Sequence, residues 1–267
     1  MLKDITLGQF FPGDTISHRL DPRAKLIFMI AYIAALFMAN GFAPYLFLLV
    51  ILMSCTIISK IKPKAIFRGL RPVFIIISFT VFLNIFFNRG ETVLFQYRAI
   101  IISQEGLLTA VFMAARFMML IISTFLLTYT TSPITLTDGL ERLLNPLKKI
   151  RAPVHEFSLM MSIALRMIPT LIEETDKIMS AQKSRGADFE TGGLLKRAKA
   201  ILPLIIPLFI SAFRRADELA TAMLSRCYHG GEGRTKMKIL KFSGKDFAVL
   251  ILGAAIIAGV VFLNRIV

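Results

Sequence analysis

Five apolar stretches constrain the fold of this chain more than any other feature. They cover residues 26–39, 45–59, 73–87, 107–130 and 247–263. A helix needs about 20 predominantly apolar residues to cross a bilayer, and a somewhat shorter run can cross where the bilayer thins. Hydrophobic residues make up 55% of the 267 residues even without glycine, which is more than a soluble domain carries. We therefore predict an all-α polytopic membrane protein with about five transmembrane helices.

The distribution of charge predicts the topology. The net formal charge is +15, and residues 60–71 carry five basic side chains and no acidic one. Residues 88–106, in contrast, balance two arginines with two glutamates. Because Lys and Arg are enriched in cytoplasmic loops, we expect the N-terminus, 60–71 and 131–245 inside and the short C-terminus outside. Charge next to membrane helices also explains the basic composition without nucleic acid as a partner.

The long internal segment contains two more apolar stretches, residues 157–172 and 200–213, which we do not expect to cross the membrane. Both are shorter than about 20 residues, and six basic residues lie between them, which disfavours translocation. We predict instead long amphipathic helices along the cytoplasmic membrane face, which cross one another and pack against the spans. Three regions follow: an N-terminal membrane domain over 1–130, a cytoplasmic domain over 131–235 and a C-terminal transmembrane helix over 236–267.

Two stretches of the cytoplasmic segment repeat each other. Residues 176–185 read DKIMSAQKSR, residues 217–226 read DELATAMLSR, and each ends on Arg before a small residue. A single Arg in a last turn would only complement the helix dipole before a glycine stop. Two matched copies on one side of the membrane indicate instead that each guanidinium, which stays charged when desolvated, binds a partner protein. The candidate binding residues are Ser184, Arg185, Gly186, Ser225, Arg226 and Cys227.

Other patterns give no catalytic, cofactor or metal site. The glycine-rich residues 229–234 lack the phosphate-loop signature, and no HExxH motif occurs. The pair Glu173 and Glu174 would need a histidine or a metal for hydrolysis, and the three histidines lie outside the apolar stretches. We therefore do not predict an intramembrane enzyme. Arg116 lies within an apolar stretch, where an ionisable residue is usually structural or functional, with backbone carbonyls as possible acceptors.

The paired S-R-G and S-R-C motifs look like the X-Arg-X motifs of the transmembrane (T) component of energy-coupling factor transporters. The opening segment over residues 8–25 and the GGEGRT segment over 230–235 are also similar to that family. The resemblance extends over essentially the whole chain. Cys227, where the family motif has a small residue such as glycine, is a mild departure.

The resemblance implies a non-catalytic subunit of an ABC-type importer in the plasma membrane of a prokaryote. Arg185 and Arg226 would each dock on one of two cytosolic ATPases, through helices that couple ATP hydrolysis to uptake. A separate membrane protein, the S component, would capture a vitamin or metal ion, and a module shared by several S components fits best. The unequal sequences around the arginines favour two different ATPases. The alternative is a stand-alone secondary transporter, which requires broken helices and charged groups at the membrane midplane.

Overall fold

The computed structural model describes residues 10–87, 92–97, 100–146, 153–189, 193–230 and 242–266. These residues form two compact units, described separately below: the membrane unit, within 8–139 and 240–267, and the motif unit, within 140–239. The described helices and strands are α1 (Ile16–Arg19), α2 (Pro22–Met38), α3 (Phe42–Ser59), α4 (Pro63–Phe87), β1 (Val93–Tyr97), β2 (Ile100–Ser103), α5 (Gln104–Thr130), α6 (Pro133–Leu144), α7 (Val154–Ser184), α8 (Leu194–Ser225) and α9 (Gly244–Ile266).

The membrane unit confirms the predicted polytopic helical fold. Four of its described helices, α3, α4, α5 and α9, are long and apolar enough to cross a membrane. The first predicted span corresponds to α2, which has 17 residues and is shorter than these four. Asn40 and Gly41 form a dipeptide that predicts a turn, and they separate α2 from α3. Gly41 takes a positive φ of 84° that glycine adopts without strain.

Two parts of the membrane unit differ from the predicted loops. The basic segment 60–71 is mostly helical, because α4 begins at Pro63, and proline is favoured in a first helical turn. Arg68 and Arg71 therefore extend from the first turns of a membrane helix, where long basic side chains reach toward the polar surface. The predicted loop 88–106 contains the antiparallel pair β1 and β2, whose VLFQY and IIIS sequences suit strands.

The core of the membrane unit surrounds α2. Ala35, Leu36 and Leu48 are completely buried, and Ile256 and Val260 of α9 are at most 1% exposed. Helix α2 packs against α3, α5 and α9, while Ile27, Ile30 and Phe37 on its remaining face are exposed. The short helix α2 thus contacts three longer helices, α3, α5 and α9.

Arg116 has a structural explanation within this core. Its Nε donates to the hydroxyl of Tyr45 at 2.8 Å, and its Nη2 donates to the carbonyl of Ala39 at 3.4 Å. The guanidinium also lies 5.7 Å from the ring centroid of Phe37, within the range of a cation–π contact. The arginine thus links α5 to the α2–α3 turn, and a backbone carbonyl serves as one acceptor, as the sequence suggested.

Buried charges join three helices at the basic end of the membrane unit. Asp21 caps α2 and forms a 2.9 Å ion pair with Arg23. The backbone N–H of Asp21 donates to Asp246 Oδ1 at 2.8 Å, which joins the start of α2 to the start of α9. Lys25 Nζ donates to the carbonyl of Thr130 at 2.9 Å and so joins α2 to the end of α5. The DPRAK segment therefore stabilises the junction of these helices.

The spacing of apolar residues predicts a helix over 136–150 with Thr137 or Asp138 as its cap, but α6 begins earlier, at Pro133. Ser132 Oγ accepts the backbone N–H of Thr135 at 3.3 Å, so the helix is capped before Pro133, and not at Thr137 or Asp138. Residues 147–150 of that prediction lie outside the described residues.

Candidate functional site

The two predicted arginine motifs end the two longest helices described in the motif unit. Helix α7 has 31 residues and ends at Ser184, and α8 has 32 residues and ends at Ser225. The sequence predicts Pro169 and Pro207 near helix bends or starts. Both lie inside their helices, as does Pro203 of α8.

The end of α7 has the hydrogen bonds of a Schellman cap. The backbone N–H of Ala187 donates to the carbonyl of Gln182 at 3.0 Å, and that of Gly186 donates to Lys183 at 3.0 Å. Arg185 is the C-cap residue, and Gly186 takes a φ of +86°. The left-handed residue that this cap requires is therefore the glycine of the motif.

The end of α8 has the same cap, residue for residue. The backbone N–H of Tyr228 donates to the carbonyl of Met223 at 3.0 Å, and that of Cys227 donates to Leu224 at 2.9 Å. Arg226 is the C-cap residue, and Cys227 takes a φ of +57°. The sequence repeat is thus also a repeat of backbone structure, and Cys227 adopts the conformation of Gly186 at a steric cost.

The side chains before the two arginines repeat as well. Ser184 Oγ donates to the carbonyl of Ser180 at 3.1 Å, and Ser225 Oγ donates to that of Thr221 at 2.9 Å. Both motif serines use their hydroxyl hydrogen within their own helix, which leaves only lone pairs for a partner. This arrangement indicates that the serines keep the helix end small and ordered, while the arginines provide the donors.

All six predicted binding residues are exposed. Within the described ranges, no carboxylate forms an ion pair with Arg185 or Arg226. Each guanidinium is therefore available to carboxylates or carbonyl oxygens of another protein, for which its planar fork of donors is suited.

A polar link connects α7 and α8 where they cross. Glu174 accepts a short hydrogen bond from Ser211 Oγ, and Arg215 Nη2 donates to its second carboxylate oxygen at 2.7 Å. The hydrogen bond from Ser211 is the main cause that lowers the pKa of Glu174, the charge of Arg215 lowers it further, and desolvation opposes both. Glu174 is therefore an ionised crosslink between two helices.

The crossing lies the same number of residues before each arginine motif. Arg185 follows Glu174 by eleven residues, and Arg226 follows Arg215 by eleven. At 1.5 Å per residue, each arm from the crossing to its arginine is about 16 Å long. Both arginines therefore lie at the same distance along their helices from the link between Glu174 and Arg215.

A cavity of about 340 Å³ between the helices shows their relative direction. Met167 and Leu171, which precede Glu174 on α7, line it together with Ala216 and Leu219, which follow the crossing on α8. The helices therefore pass each other in opposite senses, so the two arginines lie on opposite sides of the crossing, at most roughly 33 Å apart.

Sequence reasoning missed a second polar cluster, which joins α6 to the start of α7. Glu141 accepts a 2.8 Å hydrogen bond from Ser158 Oγ and lies 3.3 Å from His155 Nδ1. Since the serine donates to the carboxylate and not to the imidazole, the geometry differs from that of a nucleophilic triad. The i, i+3 spacing of His155 and Ser158 on one helical face was the available signal.

Two further features of the sequence concern metal ligands and the glycine-rich stretch. Within the described ranges no group of three or more His, Cys, Asp or Glu side chains is arranged to hold a metal ion. Most of the glycine-rich stretch over 229–234 lies outside the described residues.

Comparison with known proteins gives one consistent result. The family model described as cobalt transport protein matches residues 13–237. The chain is 51% identical over 267 residues to the energy-coupling factor transporter transmembrane protein EcfT of Clostridium kluyveri, which covers 100% of this chain and 98% of the relative. The protein of the same name from Bacillus subtilis is 45% identical over 265 residues, 99% of this chain and all of the relative.

A third relative with this name, from Thermosediminibacter oceani, is 49% identical over 258 residues and covers 97% of both chains. The matched regions cover 97–100% of this chain. The chain therefore belongs to the family of energy-coupling factor transporter transmembrane proteins, the non-catalytic, multi-pass membrane components of these transporters.

Proposed function

We propose that this chain couples ATP hydrolysis by two cytosolic ABC ATPases to substrate uptake through a separate S component. The observation that carries the proposal is the pair of equivalent, exposed helix ends, each with one arginine at the same position of the same cap. Two similar ends suit two similar partners. We assign the ATPase contacts to Ser184, Arg185, Gly186, Ser225, Arg226 and Cys227.

The link at the crossing supports the mechanism. When nucleotide brings the two ATPases together, the helix ends that they hold must move relative to each other. Because Glu174 bonds to both Ser211 and Arg215, motion of one arm is transmitted to the other at the crossing and is not absorbed by sliding. A packed helix pair with two arrangements is a recognised switching element.

An exposed apolar face on α8 supports contact with the S component. Phe209, Ile210 and Phe213 are 60–66% exposed, and Ile205 and Ile206 are more than half exposed. Exposed apolar patches of this kind mark protein or membrane contacts. Met160 on α7 is also 60% exposed, and methionine adapts to different partner surfaces, in keeping with a module shared by several S components.

The proposed topology follows the positive charges. We place the N-terminus and the coupling domain over 131–235 in the cytoplasm, the membrane domain over 1–130 in the plasma membrane, and the last span over 236–267 with its C-terminus outside. The transported vitamin or metal ion would bind the S component and not this chain.

The decisive experiment is affinity purification of the solubilised chain from its native membrane. We expect two nucleotide-binding proteins with the wild type and none with Arg185→Glu/Arg226→Glu. The control Lys177→Glu/Lys199→Glu reverses the same number of exposed charges on the same two helices and should retain both proteins. Absence of an ATPase from the wild type would favour the stand-alone transporter, and equal recovery with the arginine variant would refute the role of the motifs.

A further inference from the structure

An apolar cavity of about 220 Å³ opens at the surface of the membrane unit and is bounded by α1, α2, α3, α5 and α9. Its lining includes Phe28, Met29, Ile51, Leu126 and Leu127. A dry apolar cavity of about 150 Å³ already binds benzene. A larger cavity with such walls therefore suits a hydrocarbon ligand better than water.

The cavity lies at the depth of lipid chains near the basic end of the unit. Leu52 and Cys55 line it from within two turns of the end of α3, and Ser123 and Leu127 line it from within two turns of the end of α5. Two turns correspond to about 11 Å, which is less than half of a hydrocarbon core about 30 Å thick. An acyl chain of the adjacent leaflet can therefore reach the cavity.

A buried ammonium group lines the same cavity. Lys25 is only 8% exposed, and its Nζ donates to the Thr130 carbonyl at 2.9 Å and to Thr131 Oγ1 at 3.1 Å. Since an ammonium has three donors and these are its two acceptors in the described part of the chain, one donor is left for a ligand. Two carboxylates lie close by, on Asp21 and Asp246, and both accept hydrogen bonds from other groups.

Further basic side chains follow the lining residues directly. Arg19 belongs to α1, whose Ile16 and Ser17 line the cavity, and Lys60 follows the lining residue Ser59. Arg19 and Lys60 are exposed. Arg19 lies 3.8 Å from Asp14, but both side chains are more than 70% exposed, so this pair contributes little. The charge around the cavity complements an anionic headgroup.

We propose that this cavity binds one acyl chain of an anionic phospholipid, with its phosphate near Lys25. Apolar walls at chain depth select the hydrocarbon, and the ammonium with its basic neighbours selects the negative charge. This inference rests on the membrane unit alone and holds whether or not the arginine motifs dock ATPases.

Cys55 provides a direct test, because Cys227→Ser leaves it as the single thiol of the chain. The full-length variant in a maltoside detergent would be titrated with dioleoylphosphatidylglycerol or dioleoylphosphatidylcholine, and its reaction rate with N-ethylmaleimide measured. Lipid at about ten times its dissociation constant leaves roughly one site in eleven empty, so phosphatidylglycerol should slow the reaction about tenfold. Phosphatidylcholine should slow it much less.

A matched control places the only thiol outside the cavity. Met53→Cys in a Cys55→Ser/Cys227→Ser background lies on the same helix at a position that is 57% exposed, and its rate should not depend on the headgroup. Equal slowing of Cys55 by both lipids, no slowing by either, or equal slowing of the control thiol would each overturn the proposal.

A photoreactive phosphatidylglycerol with a diazirine in its acyl chain gives a second readout. Its adducts should map to α3 and α5 beside the cavity and should be lost in Leu127→Trp, which fills the cavity, but not in Val50→Trp at an exposed position of α3. Retention of the same adducts in Leu127→Trp would contradict the assignment.

Discussion

The residues with positive φ at the ends of α7 and α8 differ in side chain but not in backbone role. Gly186 and Cys227 both occupy the position after the C-cap arginine, and no atom within 4 Å would meet a Cβ added at Gly186. Only the φ angle therefore penalises a side chain there. The sequence could predict that both helices end at these residues, whereas the positive φ of Cys227 required the structure.

We predict that Gly186→Ala weakens the last turn of α7 and that Cys227→Gly strengthens that of α8. The left-handed conformation costs a residue with a Cβ about 1 kcal/mol relative to glycine, which corresponds to about a fivefold change in local opening. Amide hydrogen exchange of Ala187 and Tyr228 would measure both effects. Unchanged exchange in both variants would show that the caps do not depend on φ.

Arg116 shows a limit of residue-level prediction from sequence. Its location in an apolar stretch was evident, but its partners Tyr45 and Ala39 come from another helix and a turn. Hydrophobic periodicity carries no information about such pairs. Only the general rule that a charge in the membrane needs a partner could be applied.

Tyr45→Phe should lower the stability of the membrane unit more than Tyr129→Phe. The Tyr45 hydroxyl accepts a 2.8 Å bond from a charged donor, while that of Tyr129 donates to the Ala65 carbonyl at 3.4 Å. A hydrogen bond to a charged group contributes about 1.5–3 kcal/mol, and a neutral one about 1 kcal/mol. Thermal unfolding of the purified chain in detergent would compare the two. Equal melting temperatures would argue against a structural role for the Arg116 contact.

Helices α7 and α8 show which features could be predicted from the sequence and which could not. Their existence, their amphipathic character and their equivalent ends follow from the repeat and from apolar spacing. Their crossing was also predicted, but the polar link at the crossing was not, because the partners of Glu174 lie on another helix, 37 and 41 residues away. The same reason explains why β1 and β2 were missed, since short strands between membrane helices resemble a polar loop.

Glu174→Gln should uncouple ATP hydrolysis from uptake while both ATPases remain bound. The amide keeps the shape of the side chain but loses the charged bonds to Ser211 and Arg215. The neighbouring exposed Glu173→Gln is a matched control that leaves the link intact. Uptake and ATPase rates in reconstituted vesicles would be compared, and normal uptake by Glu174→Gln would exclude this link from coupling.

The link also has a defined dependence on pH. Because the folded-state pKa of Glu174 lies below its ordinary value of 4.5, the link contributes stability above that value and loses it as pH falls through the folded-state pKa. Exchange protection near the crossing should therefore persist at neutral pH and decline only as the pH falls through the lowered pKa of Glu174. Glu174→Gln should lack this decline, and an identical acid profile in the variant would show that another group causes it.

At the scale of the whole molecule, coupling to cytosolic ATPases requires that the basic segments beside the membrane helices and the two arginine motifs face the same side of the membrane. Hydropathy and basic flanks predicted this arrangement, although α4 incorporates much of the basic segment.

The test uses thiols on opposite sides, Cys227 at the end of α8 and a new Thr92→Cys before β1, each as the single cysteine of its variant; both positions are exposed. A membrane-impermeant maleimide applied to intact cells should label Thr92→Cys alone, and both thiols once the cells are opened. Labelling of Cys227 in intact cells would place the docking helices outside and refute the proposed coupling, since no cytosolic ATPase could then reach Arg185 or Arg226.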